Sequence, residues 1–314
     1  MHSQLNLASQ LPSELPADLN DLLPWMQQGS DAVVADYNSY LARRRAGGAR
    51  EYFHSRSHAL YFLRAVAPTK VVDGAWLYAT AGRWADSRFS GLLRTYLEEL
   101  GDGDPTKNHV LLYRKLLESH GLEQWQDLPE DFYLQGAIQL ALGMHGDDLV
   151  PEMVGFNLGY EQLPLHLLVC SYELNELGID PYYFQLHVTV DNGDTGHARR
   201  AVDAVRELTP LLGDRAQFDA RVRRGYQLNA LGAGTLEVIG RFDLEGEALA
   251  IFQRKSISGT GAHSDYCKVA GRTINDWLAE PSQVPYFIDA LQRAGWITLG
   301  QPPEECRFWK LLQG

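Results

Sequence analysis

Cysteine is scarce: the 314 residues hold three, Cys170, Cys267 and Cys306, widely spaced and without a CxxC pair. That argues against a thiolate cage for zinc or an iron–sulfur cluster and favours reduced thiols. Positive charge is in deficit, with 28 Lys and Arg against 40 Asp and Glu for a net charge of -12. Nucleic acid or an anionic membrane is therefore not expected as the main partner. No apolar run reaches the length of a membrane span. Residues 1–26 are broken by Pro12, Pro16 and Pro24 and carry acids, so the basic start and apolar run of an export signal are missing. These absences together lead to the expectation of a cytoplasmic protein. No repeat of solenoid period and no flavin or nicotinamide fingerprint is found.

What remains is 45% hydrophobic residues, enough for a substantial core. Apolar residues at three-four spacing predict helix over 30–66, stopped at Pro68, and over Ser87 to Leu100. Gly101, Gly103 and Pro105 break that run before another helix from Asn108 to His120. Residues 132–145 and 150–177 read as two more helices, the second opened by Pro151 and closed by Gly178. A central helix follows Pro181 and continues, bent, to Leu208. Strand signals are weak throughout. The expected fold is all-α: an N-terminal extension over 1–29, a helical bundle over 30–225 and a glycine-punctuated extension over 226–314 packed on the bundle.

The stretch around which the chain is organised runs from Tyr182 to His197. His187 and Asp191 are four apart, one turn on one helical face, which is a chelating spacing. Glu99 and His109 flank the glycine-rich bend. Taken alone, they read as a solvated acid beside Glu98 and a helix-capping histidine. Glu161 falls in a strongly apolar run and asks for a cation if buried. Glu152 competes with it, whereas Glu173 and Glu176 read as a solvated face. Glu99, His109, Glu161, His187, Asp191 and His197 together offer three imidazoles and three carboxylates. Mixed nitrogen and oxygen ligation inside a helical bundle suits iron or manganese.

Four segments carry a resemblance to a known family: Leu63 to Leu77 with Ala67-Pro68 and Val72-Asp73-Gly74-Ala75-Trp76-Leu77, Glu99 to His109, Tyr160-Glu161 to Pro164, and Phe184 to His197. They resemble the heme-oxygenase-like diiron oxidases and oxygenases, the iron-containing redox enzymes whose helical fold resembles heme oxygenase. The resemblance covers most of residues 55–210. It implies that the six residues are the ligands of two iron ions, with Asp73 as a further carboxylate and dioxygen as co-substrate. It also implies a small organic substrate (an amino acid, an amine or a short carboxylic acid), an external electron donor, and N-oxygenation, oxidative C–C cleavage or decarboxylation as the reaction. A homodimer is compatible with this reading. The alternatives are a metal-free, thiaminase-like hydrolase of the same fold and a non-catalytic helical binding protein.

One departure from the family pattern is visible. Many members run H-x3-D-x2-H where this chain runs H-x3-D-x5-H from His187 to His197. On a straight helix the ten-residue step from His187 to His197 leaves His197 about 80° off the His187 face. Either the helix bends near Gly193 and Gly196 and His197 turns inward, or it stays regular and Asp194 takes that place. Imidazole chemistry and the two glycines favour His197. In the extension, His263, Asp265 and Cys267 lie too close in sequence to converge as a nucleophilic triad, and a hydrogen-bonded loop is expected.

Overall fold

The computed structural model describes residues 1–190 and 196–307. Asp191 and Asp194 lie outside the described residues. The chain divides into two compact units, Met1–Arg241 and Phe242–Gly314, so residues 226–241 belong with the first. The regular elements among the described residues are helices apart from one two-stranded hairpin. Among them, no helix is long and apolar enough to cross a membrane.

In the first unit the apolar periodicity is realised as helices. Helix His197–Leu208 buries Ala198, Ala201, Val202, Val205 and Leu208, a three-four stripe facing the core. Each large apolar side chain so buried contributes about 1.5–3 kcal/mol. Ser87–Phe89 is one 3-10 turn leading into helix Ser90–Glu99. Asn108 caps helix His109–Glu118 by accepting from the Leu111 amide at 2.9 Å.

The helices depart from expectation in three places, the first at Gly47 and Gly48 and the other two at proline. The run expected over 30–66 is two helices, Leu22–Arg45 and Arg56–Ala65. Pro68 stands in the first turn of the short helix Ala67–Lys70, where its missing N–H costs nothing, rather than only ending a helix. The helix expected over 150–177 is interrupted. Val150–Tyr160 ends at Glu161, and Leu165–Glu176 restarts after an extended Pro164, because proline disfavours helix in the residue before it. Glu161 therefore sits at a helix end and not inside an apolar helix.

Two buried clusters fill this unit. Leu22, Trp76, Leu92, Phe156, Val202 and Val222 belong to one, and Phe53, Phe62, Tyr113, Cys170, Tyr183 and Phe184 to the other. Glu173, expected on a solvated face, is fully buried. Its carboxylate accepts from the Tyr40 hydroxyl at 2.9 Å and from the backbone amides of Glu51, Tyr52 and Phe53. Those partners lie more than a hundred residues away, out of reach of any local pattern.

The second unit has its own core of Val269, Trp277, Phe287, Ala290 and Leu291. It is built from helices Leu244–Gly259, Ile274–Leu278 and Val284–Arg293 and the hairpin of Lys268–Val269 with Arg272–Thr273. As expected, the His263 segment is a hydrogen-bonded loop: the Asn275 side-chain amide donates to the His263 carbonyl and to Asp265.

Candidate metal centre

Asp73 stands where the two core clusters of the first unit meet. Its Oδ1 accepts from the Tyr160 hydroxyl at 3.1 Å and its Oδ2 from the Tyr183 hydroxyl at 2.5 Å. Tyr160 packs on Trp76 with ring centroids 4.6 Å apart, and Tyr183 packs on Tyr113 at 4.7 Å. Each tyrosine thus commits its ring to one cluster and its hydroxyl to Asp73. Burial works to raise the Asp73 carboxyl. The Lys70 ammonium and then His187 outweigh it and hold the group ionised well below the usual carboxylate range.

Gly74 brings Glu99 alongside. It adopts a left-handed conformation at φ 79°, which favours glycine, and it leaves no room for a side chain against Glu99. Gly101 does the same for the bend, with φ 75° and the Asn108 backbone packed against it. The chain therefore turns back directly after Glu99 and delivers His109 as the first residue of its helix. His109 Nδ1 lies 2.7 Å from Glu99 Oε2.

Tyr183 and His187 share one face of helix Tyr182–Val190. His187 Nδ1 is 2.8 Å from the Tyr183 carbonyl. A carbonyl only accepts, so Nδ1 carries a proton, and Nε2 is the nitrogen that would give its lone pair to a cation. His187 Nε2 lies 3.2 Å from Asp73 Oδ2, and its ring is 4.5 Å from that of His109.

Gly196 is extended and caps a new helix whose first residue is His197. A regular helix through this point is thereby excluded, and His197 is fully buried. Its Nδ1 is 3.0 Å from Glu161 Oε2 and 3.5 Å from Glu99 Oε1. Its Nε2 is 2.9 Å from Glu98 Oε2, which Arg200 also holds at 2.8 Å. Burial acts to raise Glu98, but the His197 hydrogen bond and then Arg200 hold it below its ordinary range. A histidine backed by a carboxylate on one nitrogen, with the other facing a cluster of acids, is the arrangement that orients a metal ligand.

Two groups of potential donors result among the described residues: Asp73, Glu99, His109 and His187 form one, and Glu99, Glu161 and His197 the other. Within each, the donor atoms lie within 4.8 Å of one another, and every residue is buried. Glu99 belongs to both, with Oε2 toward His109 and Oε1 toward His197. The structure therefore brings together five of the six residues singled out in the sequence, together with Asp73. Asp191 lies outside the described residues.

The donor set fits metal cations. Glu99 Oε2 and His109 Nδ1 are buried and face each other at 2.7 Å, but out of hydrogen-bonding alignment with each other or with any other group. Buried polar atoms are seldom left so unless another ligand satisfies them. Three buried carboxylates also require positive charge nearby. Glu152, the competing candidate, is instead paired with Arg221 and Arg224.

Sequence reasoning missed the supporting groups Glu98, Lys70, Tyr160 and Tyr183. Only Tyr183 carried a local signal, four residues before His187 on the same face. A family model described as iron-containing redox enzyme matches residues 60–230, a span that contains every donor above. No curated protein and no solved structure matches the chain.

Proposed function

Because the chain belongs to the iron-containing redox enzyme family, we propose that it is a non-heme diiron oxidase or oxygenase that uses dioxygen to oxidise a small organic substrate. The observation that carries this reading is the sharing of Glu99 between the two buried donor groups. One carboxylate reaching two sets of ligands is what a dinuclear centre requires. Asp73, His109 and His187 would hold one cation, Glu161 and His197 the other, with Glu99 between them. Bound iron supplies the capacity to bind dioxygen and pass it electrons, which an external donor replaces.

The protein's own groups set the conditions for that chemistry. A cavity of about 300 Å³ is lined by Asp73, Glu99, Glu161 and His187, so a substrate inside it meets the donors directly. Tyr160 and Tyr183 fix Asp73 from two sides. The Tyr183 carbonyl keeps the proton of His187 on Nδ1, and Glu98 and Arg200 fix the outer nitrogen of His197. With these orientations set in advance, the donors need little rearrangement to take up a cation.

Iron analysis of the purified protein tests the reading, together with dioxygen consumption by the reduced form in the presence of small acids, amino acids and amines. About two irons per chain and substrate-accelerated oxygen uptake are expected, following the two donor sets. Turnover that proceeds equally well after iron is stripped out would sink the proposal.

A further inference from the structure

The cavity beside the donors, at about 300 Å³, is at the small end of ligand pockets. Among its lining residues Lys70 alone is a lysine or arginine. Lys70 ends the short helix Ala67–Lys70, and its ammonium lies 3.0 Å from the Tyr160 hydroxyl. An ammonium has three donors and no acceptor, so one hydrogen bond leaves it capacity for a ligand. The Tyr160 and Tyr183 rings lie 5.1 and 5.9 Å away. Aromatic faces stabilise a cation without neutralising it.

Among the described residues, the carboxylates on the cavity wall are Asp73, Glu99 and Glu161, and all three belong to the donor groups. Once they are committed to metal cations, none of these three remains as the counter-ion of Lys70. His166, also on the wall, adds no charge near neutral pH, since burial and then Lys70 lower its pKa to about 4. A partly buried cation in such a place calls for an anion.

We infer that Lys70 determines substrate choice by gripping the carboxylate of a small organic acid or amino acid, whose body lies against Val66, Pro164, Leu167 and Ala233. The inference rests on reading this cavity as the substrate site of the proposed oxidase. One ammonium matches one negative charge, so a monocarboxylate fits. A plain amine, itself cationic, is repelled. A phosphate dianion finds no arginine fork among the lining residues.

Calorimetric titration of the anaerobic iron(II)-loaded protein with hexanoate and with its neutral counterpart hexanamide tests the idea. Hexanoate binds at least about tenfold more tightly than hexanamide. Lys70→Met weakens hexanoate by roughly ten- to a hundredfold, the worth of one charge-assisted hydrogen bond, and leaves hexanamide unchanged. Lys70→Arg restores most of the loss, and iron content is the same in all three proteins. Equal affinity of the unaltered protein for acid and amide overturns the inference without recourse to any variant. Unchanged hexanoate binding in Lys70→Met also overturns it, the acid then being held by metal alone, as does iron lost in step with affinity. Repeating the titration on protein loaded with redox-inactive zinc(II), which occupies the same donors, separates the two ideas. A preference for the acid that depends on Lys70 in the zinc form, with no dioxygen consumption by the iron form, supports Lys70 as the anchor while the oxidase reading fails.

Discussion

Gly74 and Glu99 are packed so closely that a Cβ on Gly74 would stand 2.7 Å from the Cβ of Glu99. This contact places the acid shared by both donor groups beside Asp73, and it exists only because residue 74 has no side chain. Gly74→Ala adds both the clash and a strained backbone at φ 79°. The variant loses about 1–3 kcal/mol of stability and much of its iron, read by denaturant midpoint and metal analysis on one preparation. An unchanged iron content would show that Glu99 is placed by other contacts.

Glu99 and Glu161 are both buried acids, yet they stand differently toward the two donor groups. Glu99→Ala removes a member of each group and reduces iron from about two per chain toward none. Glu161→Ala spares the group of Asp73, His109 and His187, and about one iron remains. Equal losses in the two variants would contradict the sharing of Glu99.

Glu98 touches the outer nitrogen of His197, not the cluster itself. Glu98→Gln keeps the shape but removes the charge that orients the ring and makes it more basic. Iron affinity falls roughly 10–100-fold, the usual cost of losing such a support. Competition with a chelator measures it. An affinity equal to that of the unaltered protein would assign Glu98 to the Arg94 and Arg200 ion pairs alone.

His166 gives a pH dependence of definite sign. Its pKa is lowered from 6.5 to about 4, first by burial and then by the Lys70 charge. Between those values the unfolded chain binds a proton that the folded protein refuses, so stability falls as pH drops through that window. The contribution amounts to at most ~3 kcal/mol. Urea midpoints at about pH 7 and about pH 4 show the drop, and His166→Gln makes the decline shallower by that amount. Parallel curves for the two proteins would remove His166 from the acid response.

The helices and most donors were legible because their signals are local. Three-four periodicity marked Ser90–Glu99, and the glycine-rich bend linked Glu99 to His109. The site's partners were not legible. Asp73 meets Tyr160 and Tyr183 across 87 and 110 residues, and sequence placed Asp73 only through resemblance. Glu173 looked solvated because its neighbours in sequence are polar, whereas its backbone partners come from residues 51–53. The apolar run through 150–177 concealed the break at Pro164 because hydrophobicity alone does not register a missing helical N–H. His197 reaches the acids from a helix that begins after the extended backbone at Gly196, a quantity that composition does not encode.

The donors from Asp73 to His197 are strung over more than a hundred residues and come from six separate stretches of helix and loop. A cation seated among them is therefore a removable cross-link, closing chain loops that nothing covalent closes. The unfolded chain cannot hold that clasp, so unfolding and metal release become one event. The melting temperature then carries a dependence on free metal concentration, rising with its logarithm above the dissociation constant. Thermal scans across a metal buffer series would thus weigh the centre without any knowledge of what it oxidises.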